Sequence, residues 1–500
     1  MARLVTDYLD ETVRRCPDKI AFVDERRSLT FLQLQQEAQK AAMALTEYGW
    51  FREPVAVFFE KSVECIAASL GAVYSGNFYS PLDTAMPEKR IEKILAVLEP
   101  AAILTDREHA ERAEAFAAGI PILIYEDLMQ EKAEPKVLSA VMERRIDRDT
   151  VSVLFTSGST GVPKGVIASH RFLLNYNDWY AETFQLDGSQ VRGSQAPLYF
   201  AISAYTDVFC TIKTGCTTYL LAPQLLMFPR QLLAYLVEKG INTIFWVPSL
   251  LGTIAELGGL KAKVLPKLQW VFFCGEPMPA KQMNLWRETL PEARFVNLYG
   301  STELAIAAYH EIRTMLEPAE ALPIGRPCKN TDILLLDEKG QLAAPGTTGE
   351  ICVRGTTASG YYHDFERTAA AFVQNPLHDR YPEIVFRTGD LARCNAAGEL
   401  VYVSRKDFQI KHMGYRIELG EVETGIASIA GVTMNCCVYD KKHGEIVLFY
   451  AGSIDEKAVM RAAAEILPRY MWPTRLEHMD ALPRTLSGKV DRMSLLADLA

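Results

Sequence analysis

The sequence predicts an α/β fold with a large N-terminal domain and a smaller domain at its carboxyl end, and three observations carry that prediction. From Leu4 to Glu303, short apolar runs of strand length alternate with helical runs, the pattern of mainly parallel sheets flanked by helices. After Leu322 the texture changes to short β segments punctuated by glycine turns. Arg405-Lys406-Asp407 then precedes a last block, Phe408 to Ala500, with its own strands and helices and long enough for a small domain. The expected division is residues 1–406 and 407–500, with Asp407 at the junction.

Taken in order, Leu4 to Arg14 reads as an amphipathic helix, and Thr30 is placed to cap a second one beginning at Phe31. Val55 to Phe59 is a buried strand followed by a helix from Ser62 to Tyr74, and Ala101 to Asp106 is the next strand. The charged stretch Met129 to Asp149 reads as a surface connection. Leu225-Leu226-Met227-Phe228 reads as packing. Asn242 to Val247 is strand-like and ended by Pro248. Val271-Phe272-Phe273-Cys274 runs out into Gly275-Glu276-Pro277, and Phe295 to Tyr299 runs out into Gly300-Ser301-Thr302-Glu303. Ligands of open α/β sheets sit beyond the carboxyl ends of strands, so these loops are expected to converge on one crevice. Thr331 to Asp337, Gly349 to Gly355 and Leu400 to Val403 are the β segments of the later part.

The 500 residues are 49% hydrophobic and 23% charged, enough apolar content for a sizeable core. A net charge of −9 opposes nucleic-acid binding, which needs a basic face. Asp7, Asp10 and Glu11 stand where a signal peptide needs an apolar core, and no run is long enough to span a bilayer. No membrane association and a cytoplasmic location are therefore expected. The 10 cysteines form no C-x-x-C pair and read as buried thiols.

The stretch richest in chemistry is Thr156-Ser157-Gly158-Ser159-Thr160-Gly161-Val162-Pro163-Lys164-Gly165, launched from the apolar run Val151 to Phe155. Glycines and short hydroxyl side chains leave backbone N–H groups free to converge on an anion, and a lysine follows at loop distance. It is a phosphate cradle by composition, though not a Walker loop: the G-x-x-x-x-G-K-[ST] spacing is absent. There is no G-x-S-x-G elbow and the 8 histidines are scattered singly, so no hydrolytic Ser-His-Asp set can be nominated.

With this loop, an ordered set of motifs runs nearly end to end: Leu29-Thr30-Phe31, Tyr79 to Arg90, Tyr299-Gly300-Ser301-Thr302-Glu303, Gly349-Glu350-Ile351, Arg387-Thr388-Gly389-Asp390, Arg405-Lys406-Asp407-Phe408-Gln409, Leu467-Pro468-Arg469-Tyr470-Met471 and Ser487-Gly488-Lys489-Val490-Asp491-Arg492. In this set the chain resembles the adenylate-forming (AMP-binding) superfamily of acyl-CoA synthetases, luciferase-like enzymes and peptide-synthetase adenylation domains. Gly414 to Glu423 and Gly488 to Arg492 look like the branch that loads carrier proteins, and Phe273 to Glu276 looks like D-alanine–carrier protein ligase. The resemblance implies that the later β segments form a distorted β-barrel and that residues 407–500 are a mobile α+β domain. With no carrier module after Ala500, a stand-alone loading enzyme is expected.

The same resemblance implies ATP and Mg2+ as cofactors, and a small carboxylic acid and a phosphopantetheinylated carrier protein, or CoA, as partners. Lys489 would bridge the substrate carboxylate and the α-phosphate, Thr302 would hold the phosphate and Glu303 the magnesium. Thr156, Ser157, Gly158, Ser159, Thr160 and Lys164 would hold the β- and γ-phosphates. Asp390 would accept from the ribose hydroxyls, assisted by Arg405, with adenine among Tyr299, Tyr402, Gly275 and Glu276, and with Asn297, Gly300 and Ser301 around the nucleotide. Asp407 would be the hinge.

The acyl pocket departs from amino-acid-activating relatives, which carry Phe-Asp where this chain reads Phe200-Ala201 and use that aspartate to pair with the substrate's α-ammonium. The other lining positions the resemblance suggests are Ile202, Tyr205, Trp246, Phe272, Cys274, Leu298, Ile306 and Ala307, all uncharged. Burying an ammonium there unpaired would cost several kcal/mol, so an aryl or apolar acid without an α-amine is expected. Asp207 would meet an amine only by turning inward. The alternatives are an amino-acid–carrier protein ligase, an acyl-CoA ligase, and an inactive acyl- or nucleotide-binding homologue.

Overall fold

A computed structural model describes residues 2–130, 135–158, 162–257, 260, 265–317, 321–406, 409–484, 490–497 and 499. Two compact units make up the chain: Met1–Thr84, Glu99–Leu154 and Gly165–Lys406 form the first, and Ala85–Leu98, Phe155–Lys164 and Asp407–Ala500 the second. The second unit thus takes in the glycine-rich loop and the helix Glu88–Leu98 together with the C-terminal block.

Among the described residues, the first unit is built on two largely parallel sheets. One runs Arg326–Pro327, Ala308–Ile312, Arg294–Tyr299, Trp270–Cys274, Thr243–Trp246, Val191–Ser194, Thr217–Leu220, Ile20–Val23, Ser28–Thr30 in spatial order, with antiparallel strands only at its ends. The other runs Ile122–Ile124, Ala102–Thr105, Pro54–Phe59, Phe78–Asp83, Thr150–Thr156, Lys164–Ser169. Every residue of Pro54–Phe59 and of Trp270–Cys274 is buried, as expected of strands covered on both faces. Side chains alternate between the faces, so Phe245 and Phe272 join one core with Tyr180 and Phe184, while Trp246 and Phe273 join another with Trp286 and Leu251.

Helix starts follow the hydroxyl residues. Thr30 and Gln33 form a reciprocal capping box, Thr30 Oγ1 accepting from the Gln33 N–H at 3.2 Å and Gln33 Oε1 accepting from the Thr30 N–H at 2.9 Å, an arrangement worth about 1 kcal/mol. Ser62 caps Val63–Tyr74 through the Cys65 N–H. The later β segments form a five-stranded antiparallel sheet of Thr331–Leu336, Gly349–Gly355, Ile384–Cys394, Phe372–Gln374 and Leu400–Arg405, the last two both pairing with Ile384–Cys394.

In the second unit, the hairpin Gln409–His412/Tyr415–Glu418 precedes the helix Leu419–Ala427 and a three-stranded sheet of Val432–Asp440, Glu445–Gly452 and Arg475–His478. Ile417, Val422, Ile426, Leu448, Val459 and Met471 are fully buried in its core.

Two readings of the sequence are corrected. The stretch Met129 to Asp149 is more than a surface connection: Pro135–Arg144 is helical, Leu138 is buried, and Arg145 is buried beside His170. Leu138, Val141 and Met142 have the spacing of one helical face, a signal the surrounding charges conceal. Met227 and Phe228, read as packing, are 71% and 53% exposed, because the Pro223–Leu226 turn projects its end into solvent. No helix among the described residues is long and apolar enough to cross a membrane.

Candidate active site

The loop after strand Arg294–Tyr299 is tight because the next strand is its antiparallel neighbour. The Ala307 N–H reaches the Tyr299 carbonyl at 2.8 Å and the Leu304 N–H the Ser301 carbonyl at 3.0 Å. A Cβ on Gly300 would lie 1.8 Å from the Ala305 carbonyl oxygen, so only glycine fits there. The turn carries Glu303 inward to full burial, where Oε1 accepts from the Tyr361 hydroxyl at 2.8 Å and its backbone carbonyl accepts from the Ala358 N–H at 2.7 Å. Burial pushes the nearby Tyr205 phenol well above its ordinary pKa, and the charges of Tyr79 and Glu303 add to the shift.

Asp390 sits in strand Ile384–Cys394, 4% exposed. Its Oδ2 accepts from the Tyr299 hydroxyl at 2.6 Å and its Oδ1 from the Arg405 guanidinium at 2.7 Å. Burial and then the Asp390 charge hold the Tyr299 phenol far above its ordinary pKa, so it remains a donor. Each carboxylate oxygen has a second lone pair, which leaves Asp390 able to accept from a diol. The motif around it is clamped to Gly349-Glu350-Ile351: Thr388 Oγ1 donates to the Ile351 carbonyl at 2.8 Å, and the Gly389 N–H donates to Glu350 Oε1 at 3.2 Å. Arg387 Nε and Lys406 Nζ both reach Glu350 Oε2 at 3.0 Å. Burial works to raise the Glu350 carboxyl, but the hydrogen bonds from Arg387 and Lys406 outweigh it and hold the group below its usual range. Two motifs far apart in the sequence are therefore one clamp.

Of the expected pocket residues, Tyr205, Phe272, Cys274, Leu298 and Ile306 share one buried core, with Ala201 and Ile202 packed against it. Phe200 stacks edge-on against Tyr199, and Ala307 lies with Tyr299 and Leu304 in the neighbouring cluster. Trp246 is not brought to that group: it faces the other side of the sheet, and its Nε1 donates to the Gly193 carbonyl at 2.8 Å. One step along a strand reverses the face, and the preceding residue, Phe245, joins the core that holds Tyr205 and Phe272. Asp207 does not turn toward an amine. It is buried, with Oδ1 accepting from Arg192 at 3.0 Å.

Gly275 has φ +101°, a backbone suited to glycine, and Glu276 accepts from the Ser249 N–H at 3.0 Å at the start of helix Pro248–Glu256. Asn297 is held by the Pro323 carbonyl at 2.7 Å, and Tyr402 packs in the cluster of Tyr299. Ser301 Oγ is buried with no hydrogen-bond partner among the described residues, a group that a bound phosphate would satisfy.

In the second unit, described groups of the glycine-rich stretch face carboxylates. The Gly158 N–H donates to Glu421 Oε2 at 3.1 Å, and Lys164 Nζ stands 3.8 Å from Glu418 Oε1. Arg90 also pairs with Glu421, and Ser157 Oγ donates to the Arg416 carbonyl at 2.7 Å while accepting from the Glu418 N–H at 3.1 Å. Thr156 Oγ1 is buried without a partner among the described residues. Ser159, Thr160, Asp407 and Lys489 lie outside the described residues.

The groups fit ATP and a divalent cation by their chemistry: a buried carboxylate for a hard cation, an acidic acceptor for a diol, and an N–H-rich loop with a lysine for phosphate. Sequence reading missed the roles of Tyr361, which orients Glu303, and of Glu350 and Lys406 as the clamp on Asp390's loop. Tyr361 carries no spacing signal, whereas the paired motifs around Glu350 and Arg387 offered one.

The family described as AMP-binding enzyme matches residues 9–362. Tyrocidine synthase 3 of Brevibacillus parabrevis is 30% identical over 99% of this chain, which spans only 8% of that protein. The chain spans less than half the length of several of the curated relatives it matches. D-alanine–D-alanyl carrier protein ligase of Lactiplantibacillus plantarum is 30% identical, covering 100% of this chain and 99% of the relative. A solved structure of holo-PA1221, a protein containing adenylation and PCP domains, superposes with a TM-score of 0.84 at 26% identity, over 99% of this chain and 84% of that one.

Proposed function

The chain belongs to the AMP-binding enzyme family, and from that premise we propose that it adenylates a small aryl or apolar carboxylic acid lacking an α-amine, then passes the acyl group to the phosphopantetheine thiol of a carrier protein. The observation that carries the choice of acid is that Ala201 packs against the core that holds Tyr205, Phe272, Cys274, Leu298 and Ile306, with Asp207 engaged by Arg192. The relatives that load carrier proteins support the acceptor.

In the first half-reaction a carboxylate oxygen of the acid attacks the α-phosphorus of ATP, and the bond to pyrophosphate breaks. Both reactants are anions, which repel by about 1 kcal/mol at contact in water and several-fold more in a partly dry site. Lys489 lowers that repulsion as the two meet, while Lys164 and the N–H groups of the glycine-rich loop take up the charge that accumulates on the leaving pyrophosphate. Glu303, oriented by Tyr361, would hold Mg2+, which when bound neutralises phosphate charge. Asp390 accepts from the ribose hydroxyls while Arg405 and Tyr299 hold its carboxylate in place. In the second half-reaction the carrier thiol, losing its proton, attacks the acyl carbon and AMP leaves.

Acid-dependent exchange of pyrophosphate into ATP tests the first half, and acyl loading of a phosphopantetheinylated carrier protein against loading of free CoA tests the second. Exchange with faster loading of the carrier is expected; faster loading of CoA would assign an acyl-CoA ligase. Two substitutions sharpen the test. Gly300→Ala forces the loop bearing Thr302 and Glu303 off the Ala305 carbonyl, and a shift of that kind lowers exchange by on the order of a hundredfold in a folded protein. Exchange near the parent level would remove this loop from the mechanism. Asp407→Pro fixes φ at the hinge and is expected to slow thioester formation much more than adenylation. Equal loss of both half-reactions would mean that residue 407 is no hinge.

A further inference from the structure

We infer that Lys61 is a positioning residue for the acid pocket: its ammonium holds Ser194 at the carboxyl end of strand Val191–Ser194, Ser194 in turn meets Ser203 of the helical turn Ile202–Asp207, and so Lys61 sets where Ala201, Ile202 and Tyr205 stand. The inference rests on the pocket assignment proposed above.

The turn Ile202–Asp207 is π-helical, a wide and uncommon geometry that frees a backbone carbonyl and is found mostly at functional sites. It is pinned from two sides. On one, Asn177 Nδ2 donates to the Tyr205 carbonyl at 3.0 Å, and the Tyr176 hydroxyl lies 2.6 Å from Thr206 Oγ1. On the other, Ser203 Oγ lies 3.2 Å from Ser194 Oγ, Arg192 donates to Asp207 Oδ1 at 3.0 Å, and Lys61 Nζ donates to the Ser194 carbonyl at 2.7 Å. The stem of Lys61 is half-buried and its ammonium is turned inward.

Arg192 meets one oxygen of the Asp207 carboxylate, and the other, Oδ2, is buried without a hydrogen-bond partner among the described residues. A buried carboxylate with one oxygen left over needs further positive charge nearby. Lys61 supplies it. Burial lowers the Lys61 ammonium to about 7, and the Asp207 charge opposes the drop. Around the cluster, burial pushes the Cys210 thiol up to about 12 and also raises the Tyr180 phenol, so both stay neutral, while Arg192 keeps its charge. Lys61 is therefore the member of the cluster whose charge changes near neutrality. As pH rises through its pKa, Asp207 is left to Arg192 alone and the hold on the turn loosens.

The experiment compares wild type, Lys61→Met and Lys61→Arg by acid-dependent pyrophosphate exchange from about pH 6 to about pH 9, with KM for the acid, KM for ATP and kcat recorded separately. In wild type the acid KM is expected to rise by on the order of tenfold across that range, with ATP KM and kcat little changed. Lys61→Met has the raised acid KM at every pH, and Lys61→Arg, which keeps its charge, restores the low value at the alkaline end. Amide hydrogen-exchange protection of residues 202–208, measured without substrates, follows the same pattern. If the acid KM and the protection in Lys61→Met match wild type throughout, the inference is overturned. If Lys61→Met does not fold, coincident pH profiles for wild type and Lys61→Arg overturn it equally. Absence of exchange with every acid would defeat the proposed function alone, because the protection pattern still decides the role of Lys61.

Discussion

Lys489→Ala is expected to lower acyl-adenylate formation by on the order of a thousandfold while leaving transfer from supplied acyl-adenylate within about twofold of wild type. The ammonium is needed only where the substrate carboxylate meets the α-phosphate. There it offsets charge repulsion that grows as water is excluded, and no neutral side chain replaces it. The second half-reaction starts from an adenylate already made, in which the carboxylate charge is gone. Pyrophosphate exchange and single-turnover transfer, measured on the same preparation, separate the two. Exchange near the wild-type rate would move the role to another cation; equal loss of both half-reactions would make Lys489 structural.

Ala201→Asp carries the second large effect, a loss of well over tenfold with the native acid, since an unpaired buried carboxylate costs a few kcal/mol. Position 201 packs against the mainly apolar core containing Phe272 and Leu298, where a carboxylate would lose its hydration. Arg192, the nearby buried cation, is already held by Asp207. An α-ammonium would compensate the new charge, so weak activation of an α-amino acid is expected to appear as activity on the native acid falls. The acid KM and kcat of the variant check this, and undiminished activity on the native acid would place residue 201 outside the pocket.

Much of the fold was legible because local chemistry and burial agree. Thr30 caps a helix because its hydroxyl and Gln33 satisfy each other, and Pro54–Phe59 is uniformly apolar because it is buried along its whole length. The helix Pro135–Arg144 was concealed because its apolar stripe is narrow and flanked by charges. At the site, motif order singled out Asp390, Tyr299 and Glu303, and the geometry puts Tyr299 on Asp390. Trp246 packs in a different core from Phe272, since successive strand residues point to opposite faces. Tyr361, Lys61 and Asn177 were beyond reach for a different reason. Each acts through a contact between segments distant in sequence, and no spacing rule reports such a contact.

The measurement closest to the central claim is pyrophosphate exchange by the wild-type protein across a panel of aryl acids, short branched acids and α-amino acids. The uncharged surroundings of Ala201 and the pairing of Asp207 with Arg192 predict that an acid without an α-amine is the best substrate by a wide margin. An ordinary α-amino acid as the best substrate would contradict the account, because it would require a group in this pocket to hold an ammonium.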